Sequence, residues 1–257
     1  MSLTAQQRVV ITAGGAGIGR VIALAFHNTG ARVAVCDMDA NAIAELAETN
    51  PKIIGCVADV TNSDDMAAFF STVDDAFGGV DIAIANAGTG GPAGPIETLN
   101  LSDWQACISA NLDGAFLLCG WAARHMKEQQ SGSIILTSST AGMFGYPMRS
   151  PYATAKWGVI GLMKTLACEL GPYGVRANAI CPGAVEGDRM ERVLTREADA
   201  TGKDIDDVRN VYVKGVSMKT WVSADDVADA ALFLCSPAAS KISGLVMPVD
   251  GHTESIT

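Results

Sequence analysis

Val9-Val10-Ile11-Thr12-Ala13-Gly14-Gly15-Ala16-Gly17-Ile18-Gly19 is the stretch whose reading decides the fold. A short apolar run ends on a glycine-rich turn, and a helical pattern over Gly17–Thr29 follows it. The run does not alternate apolar with polar, so both of its faces are expected to be buried, as inside a parallel sheet. Outward from this unit the same rhythm repeats. Strands are expected at Arg8–Thr12, Arg32–Cys36, Ile53–Val57, Asp81–Ala85, Ser133–Thr137, Arg176–Ile180 and Leu245–Val249. Helices are expected at Gly17–Thr29, Ala40–Glu48, Ser63–Phe77, Ser102–Lys127, Tyr152–Leu170 and Ala224–Cys235. Ser63 and Ser223, each followed by acidic residues, read as N-caps. Gly30, Gly78-Gly79 and Gly171-Pro172 read as helix stops. The alternation predicts an α/β fold, a doubly wound parallel sheet of about seven strands with helices on both faces. It forms one domain over residues 1–257. Only Gly183 to Thr220 breaks the rhythm, and so long an excursion in a compact domain is expected to be a flexible flap over a substrate.

Composition narrows the function classes. Of 257 residues, 49% are hydrophobic and 18% charged, which supports a large core and leaves no room for a long disordered region. A net charge of −10 repels phosphate backbones and anionic lipid. Neither nucleic acid nor a membrane is therefore expected as a partner. Seven cysteines form no C-x-x-C pair and none stands at metal-ligand spacing from a histidine. They read as buried free thiols in a reducing compartment. Met1–Gln7 lacks signal-peptide character, and no apolar run approaches the ~20 residues of a membrane span, so a cytoplasmic location is expected.

The glycine turn has a chemical reading. Gly14, Gly15, Gly17 and Gly19, with Ile18 among them, let the backbone turn sharply and approach a ligand closely. Free N–H groups at the start of the following helix then face a pyrophosphate. Position between a strand and a helix, in the first βαβ unit, makes this a dinucleotide cradle. Asp37 closes the second strand about 20 residues later, where a carboxylate accepts hydrogen bonds from the adenosine ribose hydroxyls. It would repel a 2′-phosphate, Met38 follows it, and Arg20 points along the helix. NAD is thus favoured over NADP.

Tyr152-Ala153-Thr154-Ala155-Lys156 places a phenol and an ammonium on one helix face, at i and i+4. A phenol titrates near 10 in solution and is a poor base at neutral pH. A neighbouring cation favours the phenolate, so Tyr152 can take a proton from an alcohol as its hydride leaves, or return one in reduction. Ser139 follows the apolar strand, in Thr137-Ser138-Ser139-Thr140-Ala141-Gly142. Its hydroxyl can bond a substrate oxygen and stabilise charge developing there, while Ser138 serves the backbone.

Taken in order, the glycine turn, Ser139 and the Tyr152–Lys156 pair resemble the short-chain dehydrogenase/reductase family, classical subtype, over nearly the whole chain. The resemblance implies a Rossmann-type domain and an NAD-dependent oxidoreductase acting on an alcohol or carbonyl group of a small molecule. It further implies that Lys156 also holds the nicotinamide ribose. By the same resemblance Asp59 bonds the adenine amino group with help from the Val60 backbone; by its own position Asp59 equally reads as a helix cap. Asn86-Ala87-Gly88 braces the sheet beside the cofactor. Asn111, in Asn111-Leu112-Asp113-Gly114, either holds a proton-relaying water for the lysine or is a helix-kink asparagine satisfied by backbone. Pro182-Gly183 is the turn beside the nicotinamide, and Val185 meets its carboxamide through the backbone. Homotetramers are the family's usual state, and the tail Gly251–Thr257 is placed to reach a neighbouring subunit. Two departures stand out: Ala13 where the family has glycine, and Gly187 where it has threonine. An alanine at a turn needing positive φ costs about 1 kcal/mol or more.

No metal is expected, since Ser139 and Tyr152 supply the polarisation that a zinc would. The substrate pocket is expected from Gly90–Pro95, Thr140–Pro147, Arg149 and the flap residues Met190 and Val193. Arg149 is expected to pair with an acidic surface neighbour, its alternative being a substrate carboxylate or phosphate. A non-catalytic NAD(H) sensor on this fold is the rival reading, but it would have lost Ser139, Tyr152 or Lys156. An extended-type epimerase or dehydratase would need a longer C-terminal substrate domain.

Overall fold

The computed structural model describes residues 6–187, 190–191, 193–195, 198 and 202–254. Parts of the expected flap, residues 188–189, 192, 196–197 and 199–201, lie outside them, as do tail residues 255–257 and residues 1–5. All seven expected strands form: β1 Arg8–Thr12, β2 Arg32–Asp37, β3 Ile54–Val57, β4 Ile82–Ala85, β5 Gly132–Thr137, β6 Val175–Pro182 and β7 Val246–Val249. Every pairing is parallel, in the order β3-β2-β1-β4-β5-β6-β7. The chain winds outward from β1 in one direction and from β4 in the other. The cleft at that reversal, beyond the strands' carboxyl ends, is where such sheets bind ligands.

Helices α1 Gly17–Asn28, α2 Ala40–Thr49, α3 Ser63–Phe77, α4 Leu101–Ile108, α5 Gly114–Gln129, α6 Ser150–Leu170, α7 Ile205–Lys214 and α8 Ala224–Cys235 accompany the sheet. The unalternated strand pattern follows from two cores. Val10, Ala34, Ala83 and Ile134 face one way, against Phe69, Leu118, Trp121 and Leu166. Val9, Ile11, Val33 and Ile135 face the other, against Ile22, Phe26, Leu46 and Leu234.

Four expectations need correction. The single helix over Ser102–Lys127 is instead two helices, with a π-helical turn, Ser109–Asp113, between α4 and α5. Asn111 sits in that turn, its Nδ2 donating to Cys107 O at 2.8 Å and to Thr89 O at 2.9 Å. Those bonds tie the widened turn to the loop after β4. Asn62, not Ser63, caps α3, accepting from Asp64 N and Asp65 N. Ser223 does form its expected capping box with Asp226. Cys168 is exposed and Cys56 half-buried, whereas the other five thiols are buried. Finally, the continuous helical stretch Leu101–Gln129 is long and apolar enough to cross a bilayer by composition alone. Its buried face, however, contributes Leu118, Cys119, Trp121 and Ala122 to the sheet core.

Candidate active site

The glycine turn leaves β1 under strain. Ala13 adopts φ +51°, the left-handed region in which a Cβ costs about 1–2 kcal/mol. The departure from glycine noted in the sequence thus falls on a residue that feels it. Asn86 holds the turn nonetheless, its Nδ2 donating to Thr12 O at 3.3 Å and Ala13 O at 3.2 Å. Thr12 Oγ1 in turn accepts from the N–H groups of Asn86 and Ala87, each at 3.1 Å. These bonds tie Asn86 and Ala87 to the turn after β1. Gly14 lies so close to β2 that a Cβ there would sit 2.6 Å from Val35 Cβ.

Helix α1 then begins without a side-chain cap, as α6 does but five other helices do not. Asp39, Asn62, Asn100, Asp204 and Ser223 cap α2, α3, α4, α7 and α8 with side-chain oxygens. Ala16 offers α1 no such cap, and the first turn of α1 holds no acidic residue. Unsatisfied N–H groups at a helix start favour an anion. Ile18 and the buried Gly19 dock this end against the sheet. At the tip of β2 the Asp37 carboxylate accepts from Gly15 N at 3.0 Å and Asp39 N at 3.1 Å. Arg20 is engaged elsewhere, in an ion pair with Glu45 at 2.8 Å. An uncapped helix start beside a fixed carboxylate is the donor and acceptor set that a dinucleotide's pyrophosphate and ribose need.

Ser139, Tyr152 and Lys156 come together through a close approach between the turn after β5 and α6. Ser138 Oγ, buried, donates to Lys156 O at 2.8 Å. Gly142 permits the contact, since a Cβ there would lie 2.8 Å from Lys156 O. Ser138 therefore serves the backbone as expected, but across the fold rather than locally. Ser139 opens a 3-10 turn, its Oγ accepting from Ala141 N at 3.2 Å. Lys156 is buried and donates from Nζ to Thr137 O at 2.9 Å, with Nζ 5.7 Å from the Tyr152 ring centre. Asn111 Oδ1 is buried with no hydrogen-bond partner. It shares a neighbour with the lysine: a Cβ on Gly88 would collide with Asn111 Oδ1 and lie 3.2 Å from Lys156 Nζ.

The remaining predicted residues occupy the rim. Asp59 is not the α3 cap; its Oδ1 accepts from Thr61 N and Oγ1, while its own N–H donates to Asp65. Val60 packs on Gly114 at the start of α5, where a Cβ would come 2.8 Å from Val60 Cγ2. Pro182 ends β6, Gly183 N donates to Val249 O at 3.0 Å, and Val185 bridges to Val222. Arg149 contradicts its expected acidic pairing. No carboxylate ion-pairs with it among the described residues. It lies at the start of α6, three residues before Tyr152, and donates from Nη2 to Gly90 O at 2.9 Å. Its guanidinium stands 5.5 Å from the Tyr152 ring centre and 5.8 Å from that of Tyr146. Its place among the pocket residues was expected, but its partner was misjudged, because a surface ion pair is the commoner fate of an arginine.

Burial pushes the thiols of Cys36, Cys119 and Cys235 up to about 12, so they stay protonated. No metal-ligating cluster occurs among the described residues. A cavity of about 350 Å³ lined by Gly132, Ser133 and Arg176 opens at the opposite, amino end of the sheet, away from the residues above.

Comparison with known proteins agrees with this geometry. A family profile described as Enoyl-(Acyl carrier protein) reductase matches residues 12–252. Levodione reductase of Leifsonia aquatica is 32% identical over 250 residues, 95% of this chain and 92% of that protein. 7alpha-hydroxysteroid dehydrogenase of Escherichia coli (strain K12) is 31% identical over 246 residues, 94% of this chain and 92% of that one. Among solved structures, levodione reductase superposes with a TM-score of 0.89 at 31% identity, covering 97% of this chain and 98% of the other. NAD+-bound xylitol dehydrogenase gives a TM-score of 0.90 at 27% identity, covering 98% and 99%. A chain matched along nearly its whole length by such proteins belongs to the short-chain dehydrogenase/reductase family, and is an oxidoreductase acting on hydroxyl or carbonyl groups.

Proposed function

We propose that the protein is an NAD-dependent alcohol dehydrogenase or carbonyl reductase in which Tyr152 is the acid/base, Ser139 orients the substrate oxygen, and Lys156 and Asn111 support the proton's path. The nicotinamide, when bound, accepts or supplies the hydride. Gly14, Gly15, Gly17, Ile18 and Gly19 would hold its pyrophosphate at the start of α1, and Asp37 its adenosine ribose. Asp59 and Val60 lie towards the adenine end. Asn86, Ala87 and Gly88, with Pro182, Gly183 and Val185, border the nicotinamide end. Tyr152 takes the alcohol proton in oxidation and returns it in reduction. Ser139 Oγ donates to the substrate oxygen and stabilises charge there. The ammonium of Lys156 stabilises negative charge on the phenol oxygen. Asn111 Oδ1 is available to a water linking the lysine to solvent.

The observation that carries the reading is the buried Lys156, whose Nζ stands 5.7 Å from the Tyr152 ring centre and donates to Thr137 O. Burying an ammonium is expensive, and a fold does so where the charge is used. Preference for NAD is supported by the fixed Asp37 carboxylate and by the engagement of Arg20 with Glu45. A tetramer is supported by Leu101, Phe116 and Trp157, large apolar side chains 69%, 61% and 52% exposed on α4, α5 and α6. The exposed Cys168 thiol suits a reducing, cytoplasmic setting. The segment 183–220 serves as the substrate flap.

The test is an absorbance screen at the reduced-nicotinamide band, with alcohols, polyols and hydroxy acids supplied with NAD⁺ and NADP⁺ in parallel. Turnover with NAD⁺ at least ~10-fold above NADP⁺ is expected, a ratio that Asp37→Ser should shrink. Higher turnover with NADP⁺ would overturn the cofactor assignment, and a monomer in sedimentation would overturn the tetramer.

A further inference from the structure

We infer that the substrate carries an anionic group, a carboxylate, phosphonate or sulfonate, a few bonds from the reacting carbon, and that Arg149 recognises it. The inference rests on Tyr152 being the reacting group. Arg149 stands in the wall of the cleft where Tyr152 lies, its guanidinium 5.5 Å from that ring. Cys107 on α4 lies within the fields of both Arg149 and Lys156: burial pushes its thiol up, and the two cations pull against it. So two positive groups flank the tyrosine, in a chain whose net charge is −10.

The other partly buried arginines among the described residues are provided for, and Arg32 and Arg124 are exposed to solvent. Arg8 pairs with Asp81, Arg20 with Glu45 and Arg209 with Glu191. Arg176, which lacks a carboxylate, spends its donors on Ile242 O, Leu234 O and Ser133 Oγ. Arg149 has one backbone carbonyl and two ring faces, while its Nε is buried with no hydrogen-bond partner. Leaving a half-buried cation so poorly compensated is unfavourable unless something else neutralises it. A carboxylate, phosphonate or sulfonate matches the guanidinium fork, which no neutral hydroxyl does. The cation also has a second effect. An anion beside Tyr152 would oppose a phenolate, and Arg149 offsets that repulsion.

The experiment measures binding without turnover, in the dead-end complex of the protein with NAD⁺ and a ketone, by calorimetry. Matched pairs of similar shape are compared: acetoacetate against acetoacetamide, 2-oxopropanesulfonate against its sulfonamide, and 2-oxopropylphosphonate against its neutral dimethyl ester. At least one anion should bind ~10- to 100-fold tighter than its neutral partner. In Arg149→Gln that ratio should collapse towards one, and Arg149→Lys should recover part of it. Because the ratio is internal to each protein, a general loss of folded material does not imitate the result. Equal binding within every pair, no binding of any anion, or a preference that survives Arg149→Gln would each overturn the inference. A preference accompanied by no nicotinamide turnover with any alcohol would instead count against the assignment of Tyr152.

Discussion

The two ends of the same parallel sheet are built on opposite rules. At the amino end, polar groups find partners within the protein. Arg8 reaches Asp81 at 2.6 Å and Gln129 at 2.7 Å, and Gln129 donates to Val80 O at 2.8 Å. Gln7 Oε1 is an exception there. At the carboxyl end, polar groups are held ready instead. Helix α1 starts uncapped, Asn111 Oδ1, Arg149 Nε and Ser150 Oγ are buried without partners, and Ala13 carries a strained φ. Groups satisfied internally contribute stability, and groups left unsatisfied are available to ligands. Substitutions should therefore separate: at the amino end they cost stability and leave turnover, and at the carboxyl end they act on turnover or relieve strain without costing stability.

The largest separation is expected for Lys156→Met. Turnover should fall ~10²- to 10³-fold, with a melting temperature no lower than wild type, because a buried charge is removed. Retention of wild-type turnover would show that the lysine is structural. Next comes Arg8→Ala, expected to cost about 1–3 kcal/mol in urea unfolding with kcat/KM unchanged, since it breaks a half-buried, hydrogen-bonded pair. A comparable loss of activity would mean that the two ends are coupled. Ala13→Gly should stabilise by about 0.5–1 kcal/mol, the relief of the left-handed strain less the added freedom of glycine in the unfolded chain. The same urea titration checks it, and a destabilised variant would refute the strain.

The smallest effect concerns pH. Burial acts to raise the Asp81 carboxyl, but hydrogen bonds from Arg8 outweigh it and hold the group below the usual carboxylate range. Its contribution is thus present above the unfolded-state value near 4 and lost as pH falls through the lower folded value. Unfolding of wild type and Asp81→Asn should differ most near neutrality and converge in acid. A gap that widens on acidification would reverse the sign assigned here.

How far the sequence carried varies with the kind of interaction. Strands buried on both faces, such as Val9–Ile11 and Ile134–Leu136, announce themselves as unbroken apolar runs, so the sheet was legible almost residue by residue. Tyr152 and Lys156 were legible because one helical turn separates them. The π-helical turn at Ser109–Asp113 was not, since its widened backbone leaves the apolar pattern continuous across Asn111. The Ala13 strain was legible only as a condition, because φ is not written in residue type. Arg149 was misread for a related reason: sequence gives a charge but not its neighbours, and its partners proved to be a carbonyl and two rings.

The central claim is that Tyr152 moves the proton while other groups bind the cofactor. It is tested most directly by Tyr152→Phe, measuring NADH affinity by fluorescence beside turnover with the best alcohol found. The account predicts NADH binding within about twofold of wild type and turnover reduced by ~10²-fold or more. Turnover close to wild type would contradict it.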